Sequence, residues 1–320
     1  MIRREVLALF AGAAAWPRVT RAQAAKVWRI GQVTVGAGDA LQPLLPRHLA
    51  NLGYADGQAV TFVDRAAPPA QVREVIRELR PQIDLLAVWS TIGAVAAKDA
   101  APDMPTVFLS VGDPVRIGLV KSLAQPGGHM TGITFEATME TYGKRLQILK
   151  QIVPDLKRVA VLRTIGDANV APAMAALEEA AGRIELSLLT FDFASTDELA
   201  TAFQAMRPAG AEALLVVAGA QTFVNGDAIA KLAMANRLPS SHGFRETVMA
   251  GGLLSIGPDF AEMARQAAVM ITKIMGGAKP ADLPVEQPTK YTLAINAQTA
   301  QALNLTIPSG LLASADEVIE

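Results

Sequence analysis

Ile83-Asp84-Leu85-Leu86-Ala87-Val88 follows Pro81 and leads through Trp89-Ser90-Thr91 into the alanine-rich run Ile92–Asp99; Pro105 then opens a second apolar run, Thr106–Leu109, which the Gly112-Asp113-Pro114 turn closes. An apolar run this short, bounded by turn residues, reads as a strand buried on both faces. The alanine-rich segment after it has helical length. Two parallel strands cannot be joined by a tight turn and need a crossover of this kind, so the stretch is a βαβ unit.

The same alternation extends in both directions. Upstream, Arg29–Val35 reads as a strand, Leu41–Leu52 as a helix ending at Gly53, Val60–Asp64 as a strand and Pro69–Leu79 as a helix. The rhythm breaks at Pro126-Gly127-Gly128-His129-Met130-Thr131-Gly132, whose glycine density predicts an irregular first passage between two lobes. It then resumes with helix Tyr142–Ile152, strand Arg158–Leu162, helix Ala171–Ala181, strand Ile184–Leu189, helix Thr196–Met206, strand Ala213–Val217 and helix Asp227–Asn236. In the tail, strand Leu253–Ile256 stops at Gly257-Pro258, Phe260–Met275 is a helix ended by Gly276-Gly277, and Tyr291–Ile295 is a late strand. Such a tail returns to lobes already built. The expected architecture is α/β, with two doubly wound parallel-sheet lobes joined by three crossover segments. The expected division is 25–134 plus about 258–288 for the first lobe and 135–257 plus about 289–320 for the second. A hinge of three strands lets each lobe move as a rigid body about a cleft.

Residues 1–24 carry a different message. Arg3 and Arg4 precede the apolar run Val6–Ala15, and Ala22-Gln23-Ala24 supplies small residues for cleavage. This is the pattern of an export signal cut near Ala24. The paired arginines resemble a twin-arginine signal, with Val6 where that motif usually has Phe; an ordinary secretory signal fits equally. The apolar run is half of the ~20 residues that span a bilayer. The rest of the chain, about 296 residues, has no second such stretch, so a soluble periplasmic protein without stable membrane insertion is expected. The sequence contains no cysteine, so neither disulfides nor a lipid-bearing thiol is available.

Of all residues, 51% are hydrophobic but only 5% aromatic, a balance suited to buried strands under alanine-rich helices. Removing Arg3, Arg4, Arg18, Arg21 and Glu5 from 29 basic and 30 acidic residues leaves 25 against 29, a net charge of −4. That argues against nucleic acid, whose binders concentrate basic charge on one face.

Catalytic signals are sparse. His48, His129 and His242 are too far apart for metal-ligand spacing, and no HExxH, GxSxG or Walker-type loop occurs. Gly36-Ala37-Gly38 begins a dinucleotide pattern, and Asp64 ends the next strand, but Leu41 stands where the third glycine belongs. No catalytic residue, metal or cofactor is therefore expected, and the chain reads as no enzyme. Ligands of open parallel sheets sit beyond the strands' carboxyl ends. That rule selects Thr34, Gly36 and Asp39, then Ser90 and Thr91, then Gly112 and Asp113 in the first lobe; Arg163, Thr164, Gly219, Gln221, His242 and Phe244 follow in the second. Ser90 and Thr91 suit an anionic group or, equally, the cap of the next helix. Asp113 suits a ligand ammonium or a turn. Arg163 suits a carboxylate clamp or a rim charge. Trp89 and Phe244 offer apolar faces to a ligand or to the core.

Longer blocks add a resemblance. Leu52-Gly53-Tyr54-Ala55-Asp56-Gly57, Val111-Gly112-Asp113-Pro114-Val115, Gly118-Leu119-Val120, Leu123-Ala124-Gln125-Pro126-Gly127-Gly128, Lys144-Arg145-Leu146, Gly251-Gly252-Leu253 and above all the stretch Lys279–Glu320 are similar to segments of a bacterial family. The chain resembles the solute-binding proteins of ABC importers, in the family associated with tryptophan and tyrosine uptake. It departs from the family's pattern at His129, around Ser90-Thr91-Ile92 and at Ser255-Ile256-Gly257-Pro258, where Ile256 replaces a tyrosine. The resemblance implies a type I periplasmic binding fold, ligand capture by lobe closure, and delivery to a membrane permease powered by a separate ATPase. It implies a monomer whose partners are a small-molecule ligand, an amino acid or related carboxylate, and the permease. A sensory ligand-binding module shares the same physics, and an exported α/β enzyme is the remaining alternative.

Overall fold

In the computed structural model, residues 26–36, 38–135 and 140–320 are described. The export signal and its cleavage site lie outside them, as does Ala37 of the first glycine turn.

Among the described residues, twelve strands form two sheets. In chain order they are β1 (Trp28–Val35), β2 (Val60–Ala67), β3 (Leu85–Trp89), β4 (Thr106–Val111), β5 (Met130–Thr134), β6 (Arg158–Thr164), β7 (Ser187–Phe193), β8 (Ala213–Val216), β9 (Ser240–His242), β10 (Leu254–Pro258), β11 (Tyr291–Asn296) and β12 (Glu317–Ile319). The first sheet has the order β2-β1-β3-β4-β5 and the second β12-β11-β10-β9-β8-β6-β7. Every pairing is parallel except β10 with β11, which is antiparallel because β11 enters the second sheet from the far side of a detour.

The period-2 alternation of side chains builds a core on each face of the first sheet. Leu85, Ala87 and Trp89 of β3 pack under helices 44–51 and 260–275, whereas Leu86 and Val88 pack under helices 72–79 and 90–100. In the second sheet Val159 and Val161 of β6 face helices 140–152 and 170–183, and Ala160 and Leu162 face helices 196–206 and 226–235.

The chain passes between the sheets three times: between Phe135 and Glu140, between Pro258 and Phe260, and between Glu286, which bridges Ile133, and Tyr291. The glycine-rich stretch is thus only partly irregular. Met130–Thr134 continues it as the edge strand β5 beside β4, and the first passage comes later. Gly132 is needed there, since a Cβ would stand 2.0 Å from the carbonyl oxygen of Phe108. β7 also lies downstream of its expected position, because helix 170–183 runs to Arg183 and Glu185, at φ 56°, turns the chain before the strand.

Candidate functional site

The carboxyl ends of β1, β3 and β4 face those of β6 and β8 across a cleft, and a pocket lies between them. The first sheet contributes Val35, Trp89, Ser90, Thr91, Ser110 and Gly112; the second contributes Asn169, Ala218, Gly219, Ala220, Phe223 and Phe244. Leu41, Phe135 and Phe260 complete the wall.

Five aromatic rings dominate it. Phe260, the first residue of helix 260–275, meets Trp89 edge-on at 5.9 Å, Phe223 edge-on at 5.3 Å and Phe244 stacked at 5.8 Å between ring centroids. Phe135 stands 5.4 Å from Phe244. The apolar core is therefore continuous across the cleft, with Phe244 and Ala218 in the same cluster as Trp89 and Phe260. Counted out to open solvent the space is about 480 Å³, but only about 40 Å³ admits the centre of a water molecule. One water needs ~10–15 Å³ on that measure, so the rings fill the cleft and any larger molecule must part them.

The lobes touch elsewhere too. A Cβ on Gly36 would stand 2.6 Å from Val224 Cγ2, and one on Gly112 would stand 2.1 Å from Asn169 Oδ1. Both glycines exist where the opposing sheet's loops approach too closely for a side chain.

Polar groups occupy special backbone positions. Ser90 has φ 78° and Ser110 φ 61°, a left-handed conformation costly for any residue but glycine. Ser90 Oγ accepts the N–H of Gly93 at 3.3 Å, and Thr91 Oγ1 accepts the N–H of Gly112 at 3.0 Å, locking the β3 and β4 loops together. Helix 90–100 starts at this wall, so its first N–H groups face the cleft region. Across from it, Asn169 Nδ2 donates to the Ala218 carbonyl at 3.0 Å, and the Asn169 N–H donates to Asp167 Oδ1 at 2.9 Å. Asp167 is buried, which pushes its carboxyl above the usual range, opposed only by that N–H.

Of the residues that the strand-end rule selects, Ser90, Thr91, Gly112, Gly219 and Phe244 line this pocket. The others stand elsewhere. Thr34 is buried with its hydroxyl bonded by Gln42 Nε2. Gly36 and Gln221 line a separate hollow with Val224. Asp39 is exposed on the short helix Gly38–Leu41. Asp113 Oδ1 takes the N–H groups of Val115 and Arg116 and closes a turn. Arg163 is held by two hydrogen bonds to Asp192, at 2.8 and 2.7 Å, and clamps β6 to β7. Thr164 is buried, its hydroxyl without a partner among the described residues. His242 lies inside β9, hydrogen-bonded to Ser240 Oγ at 2.9 Å; burial, helped by the charge of Arg145, pushes it down to about 3.

The strand-end rule missed Ser110, Phe135, Asn169, Phe223 and Phe260. Ser110 is one residue inside β4, Phe223 lies one turn into a helix, and Phe260 arrives from the third part of the chain. It also missed Arg145, which is wholly buried, donates from Nε to the Ile256 carbonyl at 2.9 Å and stacks its guanidinium 4.7 Å from the Tyr142 ring. Among the described residues no group of three or more histidines, cysteines or carboxylates is placed to hold a metal, and no helix is long and apolar enough to cross a membrane.

The chain is similar to known proteins in sequence and in fold. A tyrosine-binding protein of Clostridioides difficile (strain R20291) is 25% identical over 261 residues, covering 80% of this chain and 74% of that protein. A conserved domain protein of Vibrio cholerae O1 biovar eltor superposes with a TM-score of 0.86 at 25% identity, over 92% of this chain and all of that one. The structure described as the ABC domain in complex with L-Trp, from Streptococcus pneumoniae, gives 0.85 at 25% identity with the same coverage. The family model for ABC transporter substrate binding protein matches residues 42–319, and this chain, with two mostly parallel α/β lobes, belongs to that family.

Proposed function

We propose that the protein is the exported receptor of an ABC importer, taking a small amino acid or related carboxylate between its lobes and presenting the closed form to a membrane permease with a separate ATPase. One observation carries the reading: the pocket is built jointly by both sheets, so a molecule in it bridges the lobes and favours closure. The shift toward the closed form equals the ligand's preference for that form. The lobes of this reading are 25–134 with about 258–288, and 135–257 with about 289–320.

The chemistry of the wall suits such a ligand. Trp89, Phe223, Phe244 and Phe260 provide ring faces and edges for an apolar side chain. The start of helix 90–100, with the Ser90 and Thr91 hydroxyls, offers donors to a carboxylate. None of the three histidines lines the pocket, and the reading requires no chemistry from it. Relatives described as binding tyrosine and L-Trp support an amino acid, and the leader 1–24 supports a periplasmic receptor.

The test is a thermal-shift and calorimetric screen of the purified chain against amino acids, aromatic acids, short carboxylates and sugars. A true ligand at a hundred times its Kd stabilises the fold by about 2.7 kcal/mol. Binding by an amino acid, weakened at least tenfold by Thr91→Ala in a folded protein, is the expected result. Binding only by sugars, or by nothing in the panel, would overturn it.

A further inference from the structure

Resting on the receptor reading, we propose that the ligand carries a protonated amine, which Asn169 Oδ1 accepts at the second lobe's wall and the Asp167 carboxylate neutralises from behind. The orientation of the Asn169 amide is fixed by its surroundings. Nδ2 donates to the Ala218 carbonyl, so Oδ1 faces the other way, toward Gly112 across the cleft. There it is buried and has no hydrogen-bond partner among the described residues. The N–H of Gly112, the residue it faces, is already given to Thr91 Oγ1. A buried amide oxygen without a donor is destabilising unless something completes it.

Asp167 adds the charge. It is 6% exposed, accepts the Asn169 N–H through Oδ1, and forms no ion pair with a basic side chain among the described residues. Its Oδ2 lies against Gly219, 2.5 Å from where a Cβ would stand, and Gly219 lines the pocket. A carboxylate buried without a countercharge is costly for the free protein, and a cation that arrives with the ligand offsets that cost. Two acceptors, adjacent in the 165–169 loop and opposite the donors of helix 90–100, fit a molecule with an ammonium at one end of the cleft and a carboxylate at the other. Asp113 is excluded from this role by its turn.

The experiment uses matched sets: each L-amino acid with its deaminated acid and its decarboxylated amine, titrated calorimetrically into the wild-type chain and into Asp167→Asn and Asn169→Leu. We expect loss of the nitrogen to weaken binding at least thirtyfold, and each variant to erase most of that difference. Asp167→Asn is also expected to melt, without ligand, at or above the wild-type temperature, because it removes a buried carboxylate that has no countercharge. A merely structural role for these residues would instead lower the melting temperature and leave the preference for the amine intact. A deaminated acid that binds within threefold of its amino acid overturns the inference but spares the receptor reading. Silence of the wild type across the panel overturns both.

Discussion

Ser90 and Ser110 each place a hydroxyl at a strand end in the left-handed region, and both line the cleft. Serine there costs on the order of 1–3 kcal/mol over a relaxed backbone. Ser90→Ala keeps that strain and loses the bond to Gly93, so unfolding free energy should fall by about 1 kcal/mol. Ser90→Gly relieves the strain and should lose less; urea titration separates the two, and equal losses would deny the strain. His242 sets a pH dependence. It titrates near 6.5 when unfolded and at about 3 when folded, so the unfolded chain takes up the proton first as pH falls. Its contribution is complete above pH ~6.5 and is lost toward pH 3, at about 1.4 kcal/mol per unit. Between pH 7 and pH 5 the wild type should lose about 2 kcal/mol more stability than His242→Asn. Matching slopes would show that the imidazole is not held neutral. The sequence marks His242 as following a strand, but its burial depends on β9 lying between β8 and β10, partners distant in the chain.

Helix 260–275 is the element that ties the pocket to the hinge. It leaves β10 of the second sheet, packs on the first lobe's core through Met263, Ala267 and Ile271, and presents Phe260 to the cleft in its first turn. Its start is fixed by Asp259, whose Oδ1 accepts the N–H groups of Ala261 and Glu262 at 2.8 and 3.1 Å. Asp259→Ala should cost about 1 kcal/mol in thermal unfolding and weaken ligand binding several-fold, since Phe260 loses its anchor. Unchanged affinity would mean that the ring is positioned by packing alone. The helix itself was readable from its apolar spacing and the glycines at its end. The division expected from the sequence already assigns it to the first lobe; which residues its apolar face covers was not readable, because periodicity marks a buried face without naming what covers it. Strand β5 escaped because Gly132 reads as a breaker in the sequence, whereas in the fold the Phe108 carbonyl lies so close that the strand requires glycine there.

At the scale of the molecule, closure rests on a few glycine contacts between the lobes. Gly112→Ala sets a methyl 2.1 Å from Asn169 Oδ1 and should prop the cleft open. Small-angle scattering should then show a larger radius of gyration, with ligand affinity down at least tenfold; an unchanged radius would mean that the loops yield instead. The alternation of strands and helices, the number of passages and the blocks shared with the solute-binding family were present in the sequence, although the first passage lies beyond the Met130–Thr134 strand and not in the glycine-rich stretch whose composition predicts it. They are local or linear properties: the spacing of apolar residues, turn residues at fixed offsets, and contiguous motifs. The strand-end rule likewise reached Ser90, Thr91, Gly112, Gly219 and Phe244, since parallel topology sends every such end to the cleft. Only the tertiary structure decided that Phe223, Phe260 and Trp89 meet there, that Arg163 and Asp113 are engaged by neighbours, and that, among the described residues, Asn169 Oδ1 is buried without a donor beside an Asp167 that receives only the Asn169 N–H. Those facts depend on which chain segments, far apart in sequence, are brought within a few ångströms by packing, and no single segment carries that information.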